Sequence, residues 1–248
     1  MKTDSSEKLQ KVLARAGLGS RREIEQWIRD GRIKVNKNIA HIGERVIFKD
    51  KISVDNREIN ILNTKEAPQK ILCYHKPAGE VCTRHDPEKR KTIFDKLPPL
   101  KRARWINVGR LDINTSGLLL LTTDGELANR LMHPSSNIER EYAVRILGEV
   151  DLDMKKRLTE GVELEDGMAK FKNIRDAGGS GANHWYHVIL TEGRNHEVRR
   201  LWETQGVTVS RLIRIRFGAI SLPPRLRAGK SVELDEQSKR LLLKSLKH

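Results

Sequence analysis

The sequence is poor in cysteine: Cys73 and Cys82 are the only two in 248 residues. Two cannot build a disulfide framework, which fits a reducing cytoplasmic compartment. Long apolar runs are also missing. The longest notable one is Leu118–Leu121, against the roughly 18 residues a membrane helix needs, so no membrane partner is expected. The opening stretch, MKTDSSEKLQ, has no apolar core, so no secretory signal is visible. Aromatic residues make up 4%, which argues against a sheet of stacked rings gripping single-stranded RNA. There is no G-x-x-x-x-G-K-[ST] stretch, hence no visible site for nucleotide hydrolysis. Cys73, His75, Cys82 and His85 lie near one another but form no C-x-x-C-type pair, so structural zinc is disfavoured. Asp86, Asp95, Asp112 and Asp124 show no paired-carboxylate motif of the kind a two-metal nuclease uses. No metal is expected.

Positive charge, in contrast, is abundant. The chain has 48 Lys+Arg against 33 Asp+Glu, a net +15, with 37% hydrophobic residues. That apolar fraction is enough for a packed core. The surplus points to a polyanionic partner, usually nucleic acid and less often a membrane surface. It is spread along the chain. Residues 1–66 hold 15 Lys+Arg and 10 Asp+Glu, and the remainder holds 33 and 23. No block of like charge dominates, so a folded basic surface is expected in place of a disordered basic arm.

Residues 7–62 read as one compact unit. Leu9, Val12, Leu13 and Ala16 share a helical face, and Gly17 suits a left-handed cap. Ser20-Arg21-Arg22-Glu23 has the form of a capping box. Ile24, Trp27 and Ile28 supply the buried face of a second helix that stops at Gly31, and short alternating strands follow. Arg21, Arg22, Arg29, Arg32 and Lys34 crowd around this second helix. They form either an RNA-facing patch or an ordinary solvated face. Asn63–Gln69 is polar, contains Pro68 and reads as a linker. From about residue 70 to 248, strands and helices alternate in a pattern that predicts an α+β fold with a largely antiparallel sheet flanked by helices. The strands are expected at Lys70–His75, Trp105–Leu111, Leu118–Thr122, Glu141–Leu147, His184–Thr191, Val207–Val209, Leu212–Phe217 and Val232–Leu234. The helices are expected from Asp124 to Met132, Asp151 to Glu160 and His196 to Thr204.

Three segments carry candidate chemistry. In Gly109–Gly125, Asp112 follows a strand and opens a loop of small polar residues before an apolar strand. It is a poised carboxylate or an ordinary turn residue. Asp124 has the shape of a helix N-cap. In Thr191–Leu201 a strand end meets a helix carrying Arg199 and Arg200 on its first turns. That arrangement makes an anion site, or turns one Arg inward onto a carboxylate. His196 is a general base or a loop contact. In Glu139–Val144, Tyr142 sits on an alternating strand, where an aromatic usually packs in the core.

Two resemblances add to this reading. LQKVLARAGLGSRREIEQWIRDGRIKVNKNIAHIGERV resembles an S4 domain, a small module that binds structured RNA through its second helix and adjacent strand. The resemblance implies that Arg21, Arg22 and Lys34 face RNA phosphates. After it come, in order, G-R-L-D-x-x-T-x-G-L-L-L-L-T-x-D-G, E-Y-x-V and G-R-N-H-x-V-R-R, with Tyr74–Gly79 close to Y-x-K-P-x-G. This series resembles the RsuA-like family of ribosomal RNA pseudouridine synthases over residues 6 to about 235. The wording of G-E-V-C-T-R-H-D-P and R-L-M-H-P-S is closest to the bacterial large-subunit synthase B branch, which acts on 23S rRNA.

The resemblance implies an S4 RNA-binding domain over 1–66, a linker to about 69, and a pseudouridine synthase domain over 70–248. It implies isomerisation of a uridine to pseudouridine in 23S rRNA, in free rRNA or in an assembling large subunit, with no cofactor. Asp112 corresponds to the catalytic carboxylate, and Tyr142 to the active-site tyrosine that stacks on the flipped base. Arg199 corresponds to the cation that holds Asp112 ionised, with Arg200 as the neighbour to weigh against it. Leu212 would pack behind the base and Arg110 would contact the RNA backbone. No long apolar seam demands a dimer, so a monomer is expected. The competing readings are a non-catalytic RNA-binding or ribosome-assembly protein, a metal-dependent RNA nuclease, and a synthase acting on 16S rRNA or tRNA.

Overall fold

The computed structural model describes residues 6–60, 69–101, 103–180 and 183–246. Residues 63–68 of the expected linker therefore lie outside the described residues. Two compact units emerge, and the fold class is α+β.

The first unit contains residues 1–69, joined by 98–105 and 123–125. Its helices are Leu9–Arg15 and Arg21–Arg29. The second starts in the expected capping box: Ser20 Oγ accepts from Glu23 N at 3.1 Å, and Glu23 Oε2 accepts from Ser20 N at 2.6 Å. That reciprocal pair satisfies two of the donors a helix start leaves open. Ile24 and Ile28 point into a core with Leu9, Val12, Leu13, Ile33, Val35, Ile52 and Val54. The strand Ile33–Val35 is central, paired with Asn38–Ile39 on one side and Ile52–Val54 on the other. Gly17 has φ +85°, and a Cβ there would stand 3.0 Å from Ala103 N. This close backbone approach helps place segment 98–105 with the first unit.

The second unit is built on a nine-stranded sheet. Its strands run in the order Asn173–Ser180, Asn183–Leu190, Arg140–Leu147, Thr208–Phe217, Ser116–Thr122, Ile71–Lys76 and Ser231–Glu233. Ile220–Ser221 and Ile106–Asn107 pair off this path. Thr208–Phe217 lies parallel to Ser116–Thr122, and the other pairs are antiparallel. Leu118, Leu119, Leu120 and Leu121 are all fully buried. Both faces of the Ser116–Thr122 strand are covered, which is why it reads as a continuous apolar run.

Several expected elements differ. The strand expected at Trp105–Leu111 is only Ile106–Asn107, because Gly109 turns the chain with φ +74°. The strands expected at Val207–Val209 and Leu212–Phe217 are replaced by a single strand, Thr208–Phe217, whose bulges against Arg140–Leu147 break the alternation. The strand Asn173–Ser180 and the helix Glu236–Lys244 were not expected. The former hides in a polar, glycine-containing sequence. Asp151 caps the Leu152–Glu160 helix by accepting from Met154 N at 2.6 Å.

Candidate active site

Residues 108–115 connect Ile106–Asn107 to Ser116–Thr122, and four consecutive carbonyls of this loop are held by donors. The Lys76 ammonium donates to Asp112 O at 3.0 Å, Ile113 O at 3.5 Å and Thr115 O at 2.9 Å. Gly79 N donates to Ile113 O at 2.7 Å. Arg199 Nη2 reaches Asn114 O at 3.4 Å. Lys76 is fully buried. Burial pushes its ammonium below the usual lysine range, while the neighbouring carboxylates of Glu80 and Asp112 oppose the shift. A loop with its main chain pinned this way holds its side chains in fixed directions.

The side chains converge on a cleft of about 690 Å³, within the usual range for ligand sites. Asp112, Tyr142 and Leu212 line it, as do Arg110, Arg140, His196, Glu197 and Arg214. Tyr142 lies at the start of the Arg140–Leu147 strand and is 9% exposed. It is therefore packed, as an aromatic on a strand usually is, and still presents a face to the cleft. Leu212 and Arg214 lie two apart on Thr208–Phe217 and share one face of that strand. Arg214 is the direct cross-strand neighbour of Tyr142. Arg110 is exposed, at the rim.

The expected arginine partner of Asp112 is not formed. Arg199 Nη1 donates to Val209 O at 2.7 Å and Nη2 faces Asn114 O. It braces the loop main chain and does not pair with the carboxylate. Arg200 turns away and makes a bidentate pair with Asp166, 2.9 Å on each arm. Asp166 sits at the tip of the hairpin formed by Val162–Leu164 and Gly167–Ala169. Among the described residues, the side chain at ion-pair distance from Asp112 is the His196 imidazole, whose Nε2 stands 3.5 Å from Oδ1. His196 has φ +50° and its side chain makes no cap hydrogen bond. The left-handed backbone turns the ring toward Asp112.

Just before this helix start a carboxylate of the chain itself takes a main-chain amide. Glu197 Oε2 accepts from Arg194 N at 3.0 Å, and burial raises the Glu197 carboxyl above the usual range. Arg140 is also desolvated, which pushes its guanidinium down. Its Nη1 donates to the Ile138, Thr191 and Glu192 carbonyls. The guanidiniums of Arg140 and Arg214 each lie 5.4 Å from the centroid of the Phe217 ring.

Arg21, Arg22 and Lys34 belong to the first unit. Arg21 and Arg22 are exposed, and no described carboxylate pairs with them. Lys34 Nζ donates to Asn56 Oδ1 at 3.0 Å. Nearby Arg32 is neutralised by Asp55 at 2.6 Å, and Arg15 by Glu7 at 2.9 Å.

Sequence reasoning missed Lys76, Arg140 and Arg214. The K-P-x-G turn was visible as a motif, but nothing in it tells that the lysine folds inward. Arg214 sits in the alternating run R-L-I-R-I-R-F, where strand period alone places it on the side of Leu212.

Comparison with known proteins bears on both units. Residues 70–204 match the family model described as RNA pseudouridylate synthase, and residues 7–52 match the S4 domain. The chain is 60% identical over 232 residues to "Ribosomal large subunit pseudouridine synthase B" of Pseudomonas aeruginosa, covering 93% of this chain and 60% of that protein. It is also 60% identical to the protein of the same name in Escherichia coli (strain K12), covering 93% of this chain and 80% of that one. A solved structure described as "Crystal structure of pseudouridylate synthase" superimposes with a TM-score of 0.66 at 24% identity, over 95% of this chain and 99% of that one. This last likeness concerns the fold alone.

Proposed function

The chain belongs to the RNA pseudouridylate synthase family, and from that premise we propose that it converts one uridine of 23S rRNA to pseudouridine. Asp112 serves as the catalytic carboxylate in this reading. The observation that carries it is the convergence of Asp112, Tyr142 and Leu212, distant in sequence, on one cleft beside a pinned loop.

The reaction breaks the C1′–N1 bond, turns the base and joins C5 to C1′. It is an isomerisation, without net redox change or hydrolysis. Asp112 acts as a carboxylate, attacking C1′ or removing a C2′ proton. Its side chain is about one-third exposed, open enough to meet a sugar. The target base is out of reach in a stacked helix and must flip, at a cost of a few kcal/mol. Tyr142 then stacks on the extruded uracil, and its hydroxyl assists removal of the C5 proton. Leu212 packs behind the base. Arg110 at the rim, with Arg21, Arg22 and Lys34 of the S4 domain, meets phosphates. These contacts supply affinity and position but little sequence choice. Arg199 acts through the loop it braces, as a positioning residue for Asp112. The protein works as a monomer in the cytoplasm, on free rRNA or on an assembling large subunit.

The test is a map of pseudouridines in rRNA from a strain lacking the gene, read by carbodiimide modification and primer extension. One 23S site is expected to disappear, to return with the wild-type gene, and to stay absent with Asp112→Asn. An unchanged map, or rescue by Asp112→Asn, overturns the reading.

A further inference from the structure

Arg214 is a charged side chain with unused hydrogen-bonding capacity at the bottom of the cleft. It is 2% exposed. Its Nε donates to Leu118 O at 2.7 Å, and its Nη2 is buried with no hydrogen-bond partner among the described residues. Buried donors are nearly always paired, and an unpaired one on a cation is costly. The other cleft arginines are differently placed. Arg140 Nη1 is engaged by three carbonyls. Arg194 is bound to Glu192, Gly167 O and Met168 O. Arg110 is exposed at the rim, where a phosphate backbone would pass.

Backbone geometry fixes where Arg214 sits. The strand bearing it pairs with Tyr142 on one side and with Gly117 on the other. Gly117 has φ +108°, and a Cβ there would lie 2.2 Å from Arg214 O. Absence of that Cβ lets the two strands close, which sets Arg214 beside both the Asp112 loop and the tyrosine. Its depth suits a base, and its cross-strand pairing with Tyr142 puts it next to the ring on which a base would stack.

We infer that Arg214 is a further catalytic residue, donating to a carbonyl oxygen of the flipped uracil and holding the negative charge the base carries while it is detached. This rests on the pseudouridine synthase reading above. When the C1′–N1 bond breaks, its electron pair goes to N1 and is shared with the O2 and O4 carbonyls. C1′ is compensated by a bond to the Asp112 carboxylate, or by loss of the C2′ proton to it. C5 then bonds to C1′ as the Asp112–C1′ bond breaks and frees the carboxylate, or, in the other route, as C2′ takes its proton back from Asp112; the C5 proton leaves and N1 gains one. A fixed, dehydrated guanidinium contributes most at the moment charge develops.

The experiment measures single-turnover conversion of a 23S rRNA fragment at saturating enzyme, together with RNA affinity across a salt series. For a folded Arg214→Gln, the rate at saturation is expected to fall about a hundred-fold or more, with affinity and salt slope unchanged. Arg214→Lys, which keeps the charge, is expected between Gln and wild type. An unchanged rate in Arg214→Gln overturns the inference. Weaker binding with a salt slope shallower by about one overturns it in favour of a phosphate contact. If Arg214→Gln does not fold, Arg214→Lys decides: a slower rate at unchanged affinity supports the inference, and a wild-type rate overturns it. Failure of the wild-type protein to convert any uridine refutes the synthase reading instead, so the two failures are distinct.

Discussion

The Lys76 ammonium lies 3.0 Å from the main-chain oxygen of Asp112 and 2.9 Å from that of Thr115. A fully buried cation thus closes the loop on which the candidate carboxylate stands. Lys76→Met keeps the volume and removes the donors, leaving several carbonyls without their partner. A stability loss of about 2–4 kcal/mol is expected, with conversion lost more steeply than RNA affinity. Urea unfolding and single-turnover assays check this; a variant equal to wild type in both would remove Lys76 from its supporting role.

Asp112→Asn keeps the shape of the side chain and removes its charge. Conversion is expected to vanish while RNA affinity stays within about two-fold, because phosphate contacts carry most of the binding. Filter binding beside a conversion assay measures both. Retained activity would move the chemistry to another residue.

Gly117→Ala introduces a side chain where φ is +108° and the Arg214 main chain leaves no room. Strain and overlap together are expected to cost about 3–5 kcal/mol. A denaturation midpoint equal to that of wild type would contradict the parallel pairing of Ser116–Thr122 with Thr208–Phe217.

Arg21 and Arg22 stand exposed with no described carboxylate partner. Replacing both with Ala is expected to weaken RNA binding and make its salt slope shallower by about one to two. An unchanged slope would take these two residues off the contact surface.

Asp166 is held below the usual carboxylate range by its hydrogen bonds to Arg200. In the window between its lowered folded value and its ordinary value, the unfolded chain binds more protons, so stability rises with pH. The contribution is present above about pH 4 and is lost as pH falls through the folded value. Asp166→Asn is therefore expected to lower Tm slightly near neutrality, with the gap closing in acid. A gap independent of pH would show that the pair contributes nothing through its charge.

Local features were legible without coordinates. The Ser20–Glu23 capping box, the Asp151 cap and the apolar strand before Thr122 depend on residues within a few positions of one another, and the chain carries that information directly. Asp112, Tyr142 and Leu212 were legible through their motifs. The strand Asn173–Ser180 was not, since its Asp176, Gly178 and Gly179 read as loop; pairing with Asn183–Leu190 overrides that preference.

By itself, the sequence determined a strongly basic chain with an α+β pattern in its second unit, and its motifs carried the resemblance that marks an S4 unit and makes Asp112 the candidate carboxylate. The tertiary structure decided which cations brace the main chain of the loop that carries Asp112. Arg199 and Arg200 are adjacent in sequence, yet helical geometry turns their side chains about 100° apart. One braces the Asn114 carbonyl and the other pairs with Asp166. Lys76 reaches the loop, and Arg214 the cleft, from strands on either side of Ser116–Thr122. Which buried groups meet across a sheet depends on strand order and register, and those are set by the packing of the whole unit.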